Sequence, residues 1–430
     1  MLSWLGWFFA GLTLAGCGFI AIANAALIYQ TASYFALRRR GMAEERDRLA
    51  HPLPRDAELP HVVLQIPTFN ESSVVERSID NAMKLDWPRD RLHVQICDDS
   101  TDRTTDIARA AAARAVAQGY DVVVIHREDR KGFKAGALHA AMVATPHNYF
   151  AILDADYVCA PDFLRRCMAV LLSGPRLAFV QARPDFLNAR HNILTRAQTL
   201  LLDFHYALEQ PVRSWSGQGL PFNGTCGVWR REGIEIGGGW RGETLTEDWE
   251  LSYQARLNGM RGIFVNSVTA SGELPADLRT WMPQQQRWAK GIGQVAWMML
   301  PRVFTTANLS LNERIGASFP LVLWFLYSVF TATYLLAVPA LLLVPSLWLV
   351  VTIYVAYEAT FWVVCGLMLA GMRAAGRETP FWRFVFDVLP VPLLGLYISW
   401  AYFWSLPATA LGRRGVFVRT PKRGSPAVVP

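Results

Sequence analysis

The sequence predicts an α/β domain, a mostly parallel sheet covered by helices, inserted between transmembrane helices. Two observations predict it. From His61 to Gln181 short apolar runs alternate with helical patterns of roughly 10–15 residues, the rhythm of parallel strand–helix–strand units. Charge is then distributed very unevenly. Residues 1–37 and 388–412 carry no charged side chain and 315–372 carry only Glu358, although the 430 residues hold 42 Lys+Arg and 35 Asp+Glu. Hydrophobic residues make up 52% of the chain and no repeat or low-complexity run is present, which excludes a disordered chain or a coiled coil.

The apolar run 3–36 is longer than the ~20 residues that cross a bilayer, and Arg38, Arg39 and Arg40 follow it. No basic region precedes it, so it reads as an anchor rather than a signal peptide, with the N-terminus outside and the α/β domain in the cytoplasm. Strands are expected at 61–66, 92–97, 121–125, 149–153 and 177–181, and helices at 73–84, 103–118, 134–144, 161–172 and 246–257. Between Leu274 and Ile315 aromatic, apolar and basic residues alternate (Trp281, Trp288, Lys290, Trp297, Arg302), the pattern of amphipathic helices in the membrane interface. Two spans follow, 317–341 and 346–371, hinged at Pro345. A third run, 384–411, is broken by Pro390, Pro392 and Pro407 and precedes a basic tail with Arg413, Arg414, Arg419, Lys422 and Arg423. A re-entrant or interfacial segment reconciles these facts; a fourth full span is the alternative. The domains expected are 1–40, a transmembrane helix; 41–274, the cytoplasmic α/β domain; 275–315, interface helices; 316–412, transmembrane; and 413–430, the tail.

Six scattered cysteines form no CxxC pair, which argues against a zinc site and a disulfide framework. The net charge of +7 belongs with membrane-side basic residues, because no nucleic-acid motif accompanies it.

In open parallel sheets ligands bind beyond the C-terminal strand ends. Those ends are acidic here: Asp98-Asp99-Ser100 after the second strand and Asp154-Ala155-Asp156 after the fourth. There is no Gly-x-Gly-x-x-Gly after the first strand and no Walker loop. Carboxylates repel phosphate unless a divalent cation lies between them, so Asp154 and Asp156 suit a metal–diphosphate.

Asp98-Asp99, Asp154-x-Asp156, Thr246-Glu247-Asp248 and Gln284-x-x-Arg287-Trp288 occur in that order. This resembles the D, DxD, D, QxxRW signature of membrane-embedded family 2 glycosyltransferases, which include cellulose, chitin and hyaluronan synthases. Leu85-Asp86-Trp87-Pro88-x-Asp90-Arg91, Lys131-Gly132-Phe133-Lys134-Ala135-Gly136, Phe222-Asn223-Gly224-Thr225 and Gln284-Gln285-Gln286-Arg287-Trp288 resemble more closely still the cellulose synthase-like A mannan and glucomannan synthases.

The resemblance implies a GT-A-type domain and an inverting, metal-dependent transferase that uses Mg²⁺ or Mn²⁺. Its donor would be a nucleotide sugar, UDP-glucose or GDP-mannose, and its product a β-linked polysaccharide extended processively. Asp154 and Asp156 would hold the metal. Thr68, Glu71, Asp98, Asp99, Lys134, Asp154, Gln284 and Arg287 would bind the donor. Arg287 offers the diphosphate a permanently charged fork, and Trp288 offers a sugar ring a flat apolar face. Asp248 is the candidate base, at a helix start that Thr246 would cap. Phe222, Asn223, Gly224, Thr225 and Trp288 would approach the acceptor. The tail Phe417-x-x-Thr420-x-Lys422 resembles a gating loop over the donor. The alternatives are a transferase that glucosylates a membrane lipid such as diacylglycerol or ceramide, and a non-catalytic scaffold subunit. The small transmembrane set implies a homodimer or an accessory export subunit. The location implied is the inner or plasma membrane, or the Golgi in a eukaryote.

Overall fold

The computed structural model describes residues 2–410 together with 420, 422 and 424; Phe417 of the gating-loop motif lies outside the described residues. Along the chain the elements are α1 (Leu2–Leu49), β1 (Val62–Thr68), α2 (Val75–Ala82), β2 (Leu92–Asp98), α3 (Thr104–Ala117), β3 (Asp121–His126), α4 (Phe133–Val143), β4 (Tyr149–Ile152), β5 (Val158–Cys159), α5 (Phe163–Leu172) and β6 (Leu177–Phe186). Next come α6 (Ile193–Asp203), which runs through a π-helical turn into α7 (Gln210–Trp215), then β7 (Gly227–Arg230), α8 (Arg231–Ile236), α9 (Glu247–Leu257) and β8 (Arg261–Gly272). The chain continues in α10 (Leu278–Thr305), α11 (Leu311–Leu343), α12 (Leu347–Ala374), α13 (Phe381–Val388) and α14 (Val391–Ala410).

The sheet order is β3-β2-β1-β4-β7-β6-β8-β5. β3, β2, β1 and β4 are parallel neighbours; β7 is antiparallel to both β4 and β6, while β6 and β8 run parallel. Alternation along β1 shows why it is buried throughout. Val62, Leu64 and Ile66 face a core with α2, α3 and α5, while Val63 faces a second core with α4, α8 and α9. A strand covered on both faces needs apolar residues on both, hence the continuous run in the sequence.

Four stretches are long and apolar enough to cross a membrane: Trp4–Leu49, Phe325–Leu343, Leu347–Ala374 and Phe381–Pro407. α1 packs on α11 and α12. A Cβ on Gly16 would meet Thr333 Oγ1 at 2.0 Å, so only glycine lets α1 and α11 come this close. Asn24 donates to Thr360 Oγ1 at 2.9 Å across to α12. α1 also grips the sheet domain: Glu45 accepts from the backbone N–H of Asn266 and Ser267, and Tyr34 stacks on Trp215.

The interface region contains one long helix, α10, rather than several; five residues then separate it from α11. The run 384–411 is two helices, broken where Pro390 offers no N–H. α14 lies along α10, with Ala401 and Tyr402 packed among Ala289, Val295, Ala296 and Met299, and Gln286 donating to Tyr397 Oη at 2.9 Å. On α11 it meets Tyr327 and Thr331 through Ser399. Beyond α14 the chain returns to the sheet domain, where Lys422 Nζ donates to Asp156 Oδ2 at 2.7 Å.

Candidate active site

A cavity of about 300 Å³ opens where β1, β2 and β4 end. Register sets its first wall. Thr68 and Asp98 are paired partners at the ends of β1 and β2, and Asp154 follows the adjacent β4. Asn70 locks the two loops together: its N–H donates to Ser100 Oγ and its Oδ1 accepts from Thr101 N–H. The helix start of α9 contributes Glu247 and Asp248. α10 contributes Trp281, Gln284, Gln285, Arg287 and Trp288, which share one helix face by their spacing of one, three and four residues.

Most of the expected site residues line this cavity: Thr68, Glu71, Asp99, Lys134, Asp154, Asp156, Asn223, Gly224, Thr225, Asp248, Gln284, Arg287, Trp288, Thr420 and Lys422. Two do not. Asp98 is fully buried and saturated, accepting from Ser100 N–H, Thr105 Oγ1 and His126 Nδ1. It shapes the loop that presents Asp99 and is not placed to touch a donor. Phe222 is fully buried too; its ring packs on Phe179 and Trp229 in the core, while the next residue, Asn223, faces the cavity. Thr246 occupies the N-cap position of α9 but makes no side-chain cap. Its methyl lies where a Cβ on Gly291 would be, so it packs against α10 instead.

Lysines neutralise both carboxylates of the Asp154–Asp156 pair. Lys134 Nζ donates to Asp154 Oδ1 at 2.5 Å and to Gly224 O at 2.8 Å. Lys422 Nζ donates to Asp156 Oδ2 and to Glu273 O, and Asp156 Oδ2 also accepts from Glu273 N–H. Burial alone would lower both ammonium groups, but the facing carboxylates outweigh it and hold both above the usual lysine value. Thr225 Oγ1 accepts from Asp154 N–H at 2.9 Å and fixes the loop between the two aspartates.

Asp248 lies against the backbone of Gly224, where φ is +75° and a Cβ would sit 3.0 Å from Asp248 Oδ2. Any side chain there would be strained and would crowd the carboxylate. Burial, reinforced by the neighbouring Glu247, pushes the Asp248 carboxyl up to about 7, against the pull of Lys134. Glu247 is raised as well, mainly by burial. Burial lowers the Arg287 guanidinium, while Glu247 and Asp248 oppose that effect. The site therefore holds one carboxyl group poised near neutrality beside a cluster of cations, the setting in which acid–base residues are found.

Sequence reasoning missed several residues in or directly behind the cavity. Arg127 forks onto Asp99 with contacts of 2.8 and 2.6 Å, and Arg130 lies over the Phe69 ring at 3.2 Å. Both follow β3, and reading that third strand end as attentively as the other two would have found them. Tyr206 and Glu273 come from the π-helical turn and the end of β8, elements with no clear signature in the sequence.

A parallel-to-mixed sheet with a carboxylate-lined cavity at its strand ends is the scaffold of a GT-A glycosyltransferase domain. The chain belongs to glycosyltransferase family 2: the "Glycosyltransferase like family 2" model matches residues 60–291. The chain is 36% identical over 307 residues to glucomannan 4-beta-mannosyltransferase 9 of Arabidopsis thaliana, covering 69% of this chain and 58% of that protein. It is 36% identical over 323 residues to glucomannan 4-beta-mannosyltransferase 1 of Oryza sativa subsp. japonica, covering 72% and 61%. The chain thus spans about 60% of the length of these relatives. A mannosyltransferase from Pyrobaculum calidifontis, solved with GDP-Man and Mn²⁺, is similar with a TM-score of 0.49 and 20% identity, over 90% of this chain and 97% of that one.

Proposed function

We propose that this protein is an inverting transferase that moves mannose from GDP-mannose onto a β-linked polysaccharide at the cytoplasmic face of a membrane. One observation carries the reading: the Asp154–Asp156 carboxylate pair, a carboxyl group held near pKa 7 and the arginine and tryptophan of α10 converge on one cavity. The names of the relatives support mannose over glucose.

The donor set fits a hard divalent cation. Asp154 and Asp156 offer oxygen ligands from one short loop, and a bound cation would take the place of the ammonium groups that now pair with them. Mg²⁺ or Mn²⁺ bound there would neutralise charge on the leaving diphosphate. Arg287 and Lys134 supply further fixed positive charge to the diphosphate as its bond to the sugar breaks. Asp99, held by Arg127, and Thr68 and Glu71 receive the nucleoside end. Asn223, Gly224 and Trp288 position the acceptor sugar. Asp248, in its ionised form, takes the proton of the attacking hydroxyl, and attack from the face opposite the leaving group inverts the anomeric centre. Thr420 and Lys422 close the cavity over the donor.

The tail supports one membrane topology. Lys422 reaches the same cavity as Asp156, so the chain after α14 lies on the catalytic side. If α1, α11 and α12 cross and α14, which packs along α10, does not, the basic tail stays cytoplasmic, as the positive-inside rule requires.

A second reading has its own support. An apolar cavity of about 460 Å³ lies among α1, α11, α12 and α14 and shares Leu201, Gln285 and Ile398 with the active-site cavity. Apolar walls suit a lipid acceptor. Protein in lipid bilayers, given Mg²⁺ or Mn²⁺ and radiolabelled GDP-mannose, UDP-glucose or UDP-N-acetylglucosamine, separates the two. Mannose label in an ethanol precipitate that β-mannanase releases supports the polysaccharide; label extracted into chloroform replaces it with a glycolipid. Label from UDP-glucose alone overturns the mannosyl donor.

A further inference from the structure

At the opposite end of the sheet from the active site, His61, His93 and His147 meet. They come from the segment before β1, the start of β2 and the loop before β4. The rings stack with centroids 4.1–5.1 Å apart, and one ligand nitrogen from each lies within 4.8 Å of the others. β1 is seven residues long, so roughly 20 Å of strand separates this cluster from Thr68.

We propose that His61, His93 and His147 bind a divalent transition-metal ion of the zinc class, with Asp121 as the orienting carboxylate. Among the described residues no other group of three or more His, Cys, Asp or Glu side chains is gathered so closely.

The hydrogen bonds select the ligand atoms. His93 and Asp121 are paired partners on β2 and β3, and His93 Nδ1 lies 2.5 Å from Asp121 Oδ2. An ionised carboxylate only accepts, so the proton of neutral His93 is on Nδ1 and the Nε2 lone pair is free to ligate. A carboxylate behind a histidine, turning its other nitrogen toward a metal, is the usual outer support of such sites. That Nε2 lies 2.8 Å from His61 Nδ1. Two nitrogens bound to one tetrahedral zinc ion stand ~3.3 Å apart, so the pair needs to open only slightly. The His61 proton then moves to its own Nε2 through solvent, with no net change in charge.

The loops carrying two of the ligands are pinned by arginines committed elsewhere. Arg91 donates to Leu59 O at 2.6 Å and to Ala57 O, ahead of His61. Arg231 donates to His147 O at 2.8 Å and to Thr145 O at 2.6 Å. These guanidiniums hold backbone carbonyls and order the site. Nitrogen ligands select zinc, nickel or copper over magnesium, so this ion is distinct from the one at Asp154 and Asp156. A water completes the coordination. The ion would tie the starts of three neighbouring strands together, and its contribution would be to the rigidity of the sheet.

The test uses the full chain without a polyhistidine tag, stripped by a chelator and held in a large excess of Mg²⁺. Calorimetric titration with Zn²⁺ is expected to show one site per chain, and Co²⁺ to give the visible absorption of a tetrahedral nitrogen site. The double variant His93→Gln/His147→Gln should lose both signals while retaining sugar transfer, which shows that it is folded. Asp121→Asn keeps all three ligands and should bind Zn²⁺ ~10–100-fold more weakly. The Co²⁺ band should persist in Asp154→Asn, which lacks a carboxylate of the other site. Absence of Zn²⁺ uptake by the wild type, or an unchanged Zn²⁺ stoichiometry in the double variant, overturns the proposal.

Discussion

Lys422 Nζ rests 2.7 Å from Asp156 Oδ2, so the C-terminal tail places a positive charge on one of the two carboxylates proposed to hold a divalent cation. Ser73 Oγ donates to Lys422 O, and Gly424 N–H donates to Glu273, which brackets the lysine in place. The ammonium group and the cation are competitors for the same oxygen.

Lys422→Ala should therefore tighten Mn²⁺ binding in the absence of nucleotide by about fivefold, the ~1 kcal/mol of a partly shielded ion pair. Electron paramagnetic resonance of free Mn²⁺ measures this directly. An unchanged affinity would mean that the lysine leaves Asp156 at no cost when the ion arrives.

Asp248→Asn should separate activity from stability. Transfer should fall by ~10²–10⁴, as for loss of a general base, with binding of the nucleotide diphosphate retained. The melting temperature should rise at neutral pH. The Asp248 carboxyl titrates near 7 in the fold against an ordinary value of 3.8, so the folded state binds more protons. Its contribution to stability is greatest below the ordinary value and is lost as pH rises toward 7; the amide removes that penalty. A variant that loses both activity and melting temperature would point to a structural role.

On the proposed role as base, the same carboxyl should set the pH profile. The base works only when ionised, so kcat/KM should rise with pH along a limb centred near 7. Lys134 pulls that value down, and Lys134→Met should move the limb to higher pH in addition to weakening donor binding. A limb that stays in place would show that the titrating group is not Asp248.

Asp98 should behave as a structural residue. Asp98→Ala orphans three donors around a buried position, and should destabilise the fold by about 3 kcal/mol, read as a lower melting temperature. Its hydrogen bonds outweigh burial and hold the carboxyl below its ordinary value, so its stabilisation is present above that value and fades in acid. The donor KM of the folded fraction should change little, whereas Asp99→Ala should raise it.

The half of the sheet built from β1 to β4 is legible in the sequence because its strands read as apolar runs with a helical period between them: β1, β2 and β4 are largely buried, and the edge strand β3 keeps the run Val122–Ile125. β7 has four residues, too few for a pattern, and β8 is partly exposed along a polar stretch. Motifs locate the cavity but do not tell neighbours apart. Asp98 and Asp99, or Phe222 and Asn223, are adjacent in the chain and point to opposite sides of the backbone, so one of each pair belongs to the core. The three histidines fall in three separate segments and share no local spacing. Only the strand order, with β2, β1 and β4 side by side, brings them together.

α1 has a further consequence. It is one unbroken helix of 48 residues, ~72 Å long, apolar at its start and clasped at Glu45 by the backbone of Asn266 and Ser267. Gly41 leaves room for the Trp215 ring on its flank. Each residue advances the helix ~1.5 Å and turns it ~100°, so in the proposed topology α1 would fix both the altitude of the sugar site above the lipid and the compass bearing of its mouth. Inserting one residue after Arg40 would swing Glu45 and Gly41 off their partners. Inserting four would nearly restore the bearing and raise the site by ~6 Å. The helix is a gauge whose setting is written in residue count.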